Sequence, residues 1–407
     1  FFNLPSETII SNQVDISSRL IFAGCKDFRC YNLKLNNNIT QNCFYLHGSG
    51  RSEIKSIYFE NTKQGIYVFS GAETVEIMDC IFYNCHPNDY IVSINSPFDV
   101  VFTRNTFNSE KDGRRTAALY IHHYGRTLEI THNQFINCDS CQYRQAAITF
   151  NGIEIPSEYE HNISNPVFNF NYNSLQNVGS TKLGLFTFIL REKSGASFCH
   201  NEIRDCINTN TSPEGTDSAY LCNIEMVPES GFEFVNLTLR NCSTYSTFGG
   251  GLGIWATSPN YQSSNTLNLA FTNCQFINNV HLHKPGQSDD QGGGGFQFGT
   301  GSNSHFLLHF DNCEFIGNSA YRGGALSIST RKPATIRNCK FINNFCEING
   351  GSIFISPNNR QTGTLMEKCS IYNCSFELNY ATGNSAQGHA ICIQENSNIG
   401  STTIEID

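Results

Sequence analysis

Charge is scarce in this chain of 407 residues: Asp, Glu, Lys and Arg together make up 15% of it, where a globular domain ordinarily carries roughly 25%. Met occurs three times and Trp once, at Trp255. No run of about 18 apolar residues is present, which excludes a transmembrane helical segment in this sequence. Nowhere do about 11 residues hold a helical apolar period, which excludes helical solenoids and leucine-rich arrays. The start, Phe1-Phe2-Asn3, lacks the charged-then-apolar pattern of a signal peptide, so a processed chain or a fragment is expected. The 35 acidic and 26 basic residues leave a net charge of −9, an argument against nucleic acid as partner. A Gly-x-Ser-x-Gly nucleophile turn and a phosphate-cradling loop are missing; the Gly runs at 249–251 and 292–295 lack the Lys and following helix such loops need.

Amide and ring take the place of charge. The chain holds 48 Asn, 33 Gly, 32 Phe and 18 Cys. So much Phe with so little charge excludes a disordered tail. By length alone two or three domains are expected, but a repeat changes that expectation. Its clearest copies are Asn273-Cys274-Gln275-Phe276-Ile277-Asn278-Asn279, Asn312-Cys313-Glu314-Phe315-Ile316-Gly317-Asn318 and Asn338-Cys339-Lys340-Phe341-Ile342-Asn343-Asn344. A fourth is Asn373-Cys374-Ser375-Phe376-Glu377-Leu378-Asn379, and weaker copies centre on Phe59, Phe82, Phe107, Phe135, Leu175, Ile203 and Leu239, eleven in all. Spacings run from 23 (Phe59 to Phe82) to 40 (Phe135 to Leu175), fitting one turn of a parallel β-helix, with or without an inserted loop. Between copies lies a Gly-rich turn followed by alternation of period two, as in Gly323-Gly324-Ala325-Leu326-Ser327-Ile328 and Gly350-Gly351-Ser352-Ile353-Phe354-Ile355, a strand signature.

The unit has a physical logic. In Cys-x-Phe the first and third residues share a strand face, so Cys274 and Phe276 point inward together. Coils stacked at roughly 4.8 Å place Phe276, Phe315, Phe341 and Phe376 in a column of inward rings. Asn279, Asn318, Asn344 and Asn379, three residues after each ring, stand where the strand turns; Asn tolerates positive φ and its amide can bond its counterpart in the next coil. Aligning the slots shows an exchange. Two residues before the ring the later copies carry Cys274, Cys313, Cys339 and Cys374, where earlier ones carry Asn105, Asn133, Asn173 and Asn201. Three residues after it the use reverses, with Cys85, Cys138, Cys206 and Cys242 preceding the Asn residues. The paired Gly residues supply corners that no side chain fits. Fold class is therefore all-β, a parallel β-helix of about eleven coils with inserted loops over residues 46–407, and residues 1–45, poor in repeat character, are set apart as an N-terminal cap.

Phe315 to Asn318 followed by Gly323-Gly324-Ala325-Leu326 resembles the Phe-x-x-Asn and Gly-Gly-Ala-Ile/Leu repeat pair of the chlamydial polymorphic outer-membrane proteins and of similar surface proteins of trichomonad protists. The match is strong from about residue 270 to the end and degenerate before it. The resemblance implies a right-handed, secreted parallel β-helix engaged in surface adhesion. A carboxy-terminal autotransporter barrel, found in the bacterial members, is absent from this sequence.

Eighteen Cys and six Asn-x-Ser/Thr sequons, at Asn38, Asn162, Asn210, Asn236, Asn241 and Asn373, point to an extracellular or cell-surface location. Against this, repeat arrays also bury free thiols, and an Asn-rich chain writes sequons by chance. The close pairs Cys25/Cys30 and Cys138/Cys141 are the disulfide candidates. An enzymatic reading comes from the pectate-lyase-like scaffold, as a polysaccharide lyase, a hydrolase or a carbohydrate-binding module. Lyase chemistry wants clustered carboxylates for a hard cation and a basic residue, and Asp-x-Asp occurs nowhere. Hydrolysis wants converging carboxylates; the adjacent pair Asp289-Asp290 lies in a Gly-rich insert without companion motifs. His281-Leu282-His283, His122-His123 and His305/His309 read as surface residues before metal ligands. No catalytic residue, metal or cofactor is assigned. The leading expectation is a non-enzymatic β-helix for adhesion or extracellular assembly. Its expected partners are other surface or matrix proteins, glycans or further copies of itself, met through the inserts at 151–166, 207–218 and 280–304.

Overall fold

The computed structural model describes residues 7–10, 15–16, 20–24, 26–36, 42–48, 50–62, 64–69, 73–85, 90–95, 98–109, 117–123, 126–138, 146–152, 167–180, 184–190, 195–208, 222–226, 231–245, 251–256, 267–282, 292–300, 306–330, 333–356, 368–383, 386–393 and 403–407. The greater part of each of the three expected inserts lies outside these residues. The chain divides into two compact units, residues 1–180 with 185–195 and residues 181–184 with 196–407. Residues 1–45, set apart above as a cap, lie in the first.

Short apolar-alternating segments of two to seven residues, many closed by a left-handed corner at Asn or Gly and others at residues such as Asp79, Arg104 or His132, pair side by side as strands. Among the described residues of the first unit there is no helix, and each coil supplies one strand to each of three parallel ladders. Thr74–Met78, Ile81–Tyr83 and Tyr90–Asn95 make one such coil. Each strand pairs in register with its equivalents one coil before and one coil after. The second unit repeats the plan and adds a fourth narrow ladder, so that Phe306–Asp311, Glu314–Ile316, Ser319–Arg322 and Leu326–Ser329 form one coil. This is a parallel β-helix, as the repeat predicts.

The number of coils exceeds the eleven read from the sequence. Asp15–Ile16 and Lys34–Asn36 extend the second ladder before Phe59, with Ile16, Leu35 and Phe59 in register. Leu35, buried, fills the ring slot in place of Phe, so the Phe signature is lost while the packing role is kept. The strands of residues 7–47 pair with the coils that follow, and the cap segment thus contributes coils of its own.

Inward rings stack as columns. Phe59, Phe82, Phe107 and Phe135 lie 4.7, 4.6 and 5.1 Å apart with planes within 11°. Phe276, Phe315, Phe341 and Phe376 repeat this at 4.8, 4.9 and 4.9 Å within 5°. All but the terminal Phe376 are fully buried, and each such ring contributes roughly 1.5–3 kcal/mol of burial.

The Gly pair serves two purposes. Gly323 sits at φ +58, in the left-handed region. Gly324 has no room for a side chain: a Cβ there would meet Gly351 O at 2.2 Å and Phe345 O at 2.4 Å. A Gly is needed at each position, for conformation at one and for close approach of neighbouring coils at the other.

Candidate functional site

The interior carries the sequence-predicted amides, and they form ladders. Asn318 Oδ1 accepts from the Asn279 backbone N–H and from Asn279 Nδ2, both at 3.0 Å, while Asn318 Nδ2 donates to Phe276 O at 2.8 Å and to Asn344 Oδ1 at 3.0 Å. Asn279 and Asn344 bond in the same way, and Asn379 accepts from Asn344 and donates to Phe341 O. Every amide atom of Asn318 is thereby satisfied without water. Asn105, Asn133 and Asn173 form an equivalent ladder in the first unit, at the corner before the ring.

The turn itself is not made by these residues. Positive φ falls one position earlier, at Asn278 (φ 52), Gly317 (φ 64), Asn343 (φ 54) and Leu378 (φ 52), and at the opposite corner at Asn273, Asn312, Asn338 and Asn373. The expectation that one Asn both turns and ladders is corrected: neighbouring residues divide the two tasks, because the left-handed residue points outward and its successor inward.

The geometry also explains why Cys and Asn trade places. Asn133 Nδ2 donates to Phe102 O, five residues before the ring of the preceding coil, and Cys80 and Cys274 set their Sγ 3.9 and 3.5 Å from the equivalent carbonyls of Ile54 and Phe234, sharing one S–H with the nearer carbonyls of Met78 and Thr272 at 3.3 and 3.4 Å. At the other corner Asn279 donates to Leu239 O, while Cys85 and Cys242 reach the equivalent carbonyls of Phe59 and Ile203. Either side chain faces the same buried carbonyl, the amide with a full hydrogen bond and the thiol with a longer contact that it shares with the carbonyl two residues back.

Fourteen cysteines of the described residues form no disulfide with one another, and twelve of them are buried. Cys30 and Cys138, two of the disulfide candidates, are buried in the core, and their candidate partners Cys25 and Cys141 lie outside the described residues. Burial pushes the Cys80 thiol up to about 12 and the Cys85 thiol up to about 11. Of the sequons, Asn38, Asn162 and Asn210 fall outside the described residues. Asn236, Asn241 and Asn373 occupy left-handed corners at φ 53, 53 and 51, the latter two exposed. There the repeat writes the sequon: a corner Asn, an inward Leu237, Cys242 or Cys374, then Thr238 or Ser375 opening the ring strand, or Ser243 opening the strand after it.

On the exterior, coil stacking sets carboxylates beside cations of the next coil. Glu76 accepts from Arg51 at 2.9 Å, Asp79 from Arg104 at 2.6 Å, Glu202 from Arg240 at 2.8 Å and Glu314 from Lys340 at 3.0 Å; Asp99 pairs with Arg126. Such exposed pairs are worth about 0–1 kcal/mol each and tie the acids up. Asp289-Asp290, His283 and His305 lie outside the described residues, while His281 is buried, with Gly292 packed so closely that a Cβ would meet its Nδ1 at 2.2 Å. No group of three or more metal-ligating side chains occurs among the described residues.

The second unit carries a depression of about 430 Å³ on the outer side of its first ladder, lined by Asn268, Ala270, Thr272, His309, Asp311, Thr335, Arg337 and Tyr372 among others. Two outward columns build it. Ala270, His309, Thr335 and Ser370 are in register, and so are Thr272, Asp311, Arg337 and Tyr372. Small side chains on either side of His309 leave the hollow. Arg337 Nη2 donates to Asp311 Oδ2 at 2.6 Å and Asn338 Nδ2 to Asp311 Oδ1 at 2.7 Å, and these bonds hold the Asp311 carboxyl below its ordinary range. Burial, with Arg337 nearby, lowers His309 and keeps its imidazole neutral. His309 stands on the outward face, as its place in the sequence predicts, and no motif in the sequence marks the other lining residues. Aligning the strands that precede Cys-x-Phe, coil on coil, is the signal that brings these columns out.

No protein-family model matches the chain, and no curated protein sequence matches it.

Proposed function

We propose that the chain is a secreted or cell-surface, non-enzymatic β-helix that presents its exterior for adhesion or extracellular assembly, in the manner of the repeat surface proteins its Phe-x-x-Asn and Gly-Gly-Ala-Leu segments resemble. The observation that carries this reading is the state of the carboxylates around the one depression described. A glycosidase needs two carboxyl groups about 5 to 9.5 Å apart, one with a raised pKa to act as acid. The depression holds a single carboxylate, Asp311, locked by Arg337 and Asn338 and shifted in the opposite direction. A single engaged carboxylate among the described residues of the depression supports recognition over glycoside hydrolysis. The six sequons support exposure to the glycosylation machinery.

The test is surface labelling of intact source cells with an antibody to the chain, with mass spectrometry of the native protein at the sequons. Labelling without permeabilisation, with glycan at Asn241 or Asn373, is expected. Signal confined to permeabilised cells, with bare sequons, overturns the reading. Release of new reducing ends or unsaturated uronates from a polysaccharide panel by the purified chain overturns its non-enzymatic part.

A further inference from the structure

We propose that the depression over Ala270 and Thr335 is a binding site for one neutral pyranose unit of a glycan. This rests on the reading of the molecule as a display scaffold and names its ligand class. Size is the first argument: about 430 Å³ lies within the range of small-molecule sites. Placement is the second. The lining residues stand on paired strands, with Leu267–Thr272, Phe306–Asp311, Ala334–Arg337 and Lys368–Tyr372 in register, so the groups are held by the ladder and not by a loop.

The third argument is chemical. Asn268, Thr272 and Thr335 offer amide and hydroxyl groups that both donate and accept, which suits a row of sugar hydroxyls. A neutral imidazole at His309 adds one donor and one acceptor, consistent with its lowered pKa. Asp311 and Arg337 cancel each other's charge at 2.6 Å, yet the guanidinium carries five N–H donors, more than its contacts with Asp311 and Tyr372 use. Tyr372 brings a ring against which the C–H face of a pyranose can pack. An anion would have to compete with Asp311 for the single guanidinium. A metal ion would find one carboxylate already engaged and one imidazole, fewer than the three protein ligands a cation site requires.

The experiment uses the full chain. Saturation-transfer NMR and calorimetric titration are run with cellotetraose, mannotetraose and chitotetraose, and with tetragalacturonate as the charged comparator. Thr335→Trp fills the hollow from a half-exposed position. His309→Ala removes the imidazole without adding bulk and serves if the Trp variant does not fold. Thr127→Trp, at an outward position of the equivalent ladder in the first unit, is the control. At least one neutral tetrasaccharide is expected to bind, at least ten-fold more weakly to Thr335→Trp and to His309→Ala, and equally to Thr127→Trp. Absence of neutral-sugar binding, binding unchanged in both depression variants, or binding of tetragalacturonate alone overturns the site. Those results leave surface labelling untouched, so failure here is distinguishable from failure of the scaffold reading.

Discussion

Neighbouring amides do different jobs in this chain, and Asn278 and Asn279 show it most plainly. Asn278 turns the backbone at φ 52 with its side chain outward, while Asn279 is buried and bonded on every amide atom. The two kinds of Asn should therefore respond very differently to replacement. Asn318→Ala orphans the Phe276 carbonyl and the Asn279 N–H in a buried site, so a loss of roughly 2–6 kcal/mol is expected at about 1–3 kcal/mol per unsatisfied group. Asn312→Gly, at an exposed left-handed corner, keeps the conformation and gives up one exposed bond to Asn273. A loss of no more than about 1 kcal/mol follows. Urea unfolding of both variants measures the contrast. The inward ladder was legible in the sequence because Asn recurs three residues after each ring. The turn was placed one residue late because a shift of one exchanges inside for outside, and Asn stands at both positions in two of the four best copies.

At the scale of the strand and its corner, what persists is the need of one carbonyl, and the residue that answers it changes. Asn, Cys and, at Cys85, a thiol that also accepts from Thr62 Oγ1 at 3.1 Å occupy equivalent slots. Counting cysteines could not separate this role from disulfides, since both want small side chains a coil apart. Thiol packing has a consequence for pH. A folded-state pKa near 12 at Cys80, against 9.0 unfolded, means that above pH 9 the unfolded chain releases a proton the folded chain keeps. Stability from these thiols is fully present below pH 9 and is lost as pH rises toward 12. The urea midpoint should accordingly fall between pH 8 and pH 10.5, and less steeply in Cys85→Val. The depression was hidden at this scale as well: Ala270, His309 and Thr335 are 39 and 26 residues apart and become neighbours only when the ladders are drawn.

For the whole molecule the governing fact is that each unit is a stack of equivalent turns, each touching mainly the turn before and the turn after. Ile16 and Leu35 show how far the sequence can drift while the turn survives, and why counting Phe signatures underestimates the coils. Loss of a complete turn should then be tolerated where the flanking turns match. Deleting residues 313–338 joins Asn312 to Cys339 and restores Asn-Cys-x-Phe at the seam. The shortened chain is expected to fold, with the same far-ultraviolet β signature and a lower urea midpoint, whereas deleting 313–325, half a turn, should give no cooperative transition.

Because thiol and amide answer the same carbonyl, coils from opposite ends of the chain are compatible currency for recombination. A gene with such repeats can lengthen or shorten its product by unequal crossing-over between Asn-Cys codons that stand at the same corner of the turn, as at Asn312-Cys313 and Asn338-Cys339, and keep whole turns on both sides of the seam. Outward columns can then diversify coil by coil, and a hollow like that over Ala270 can be gained or erased by inheriting a different neighbour.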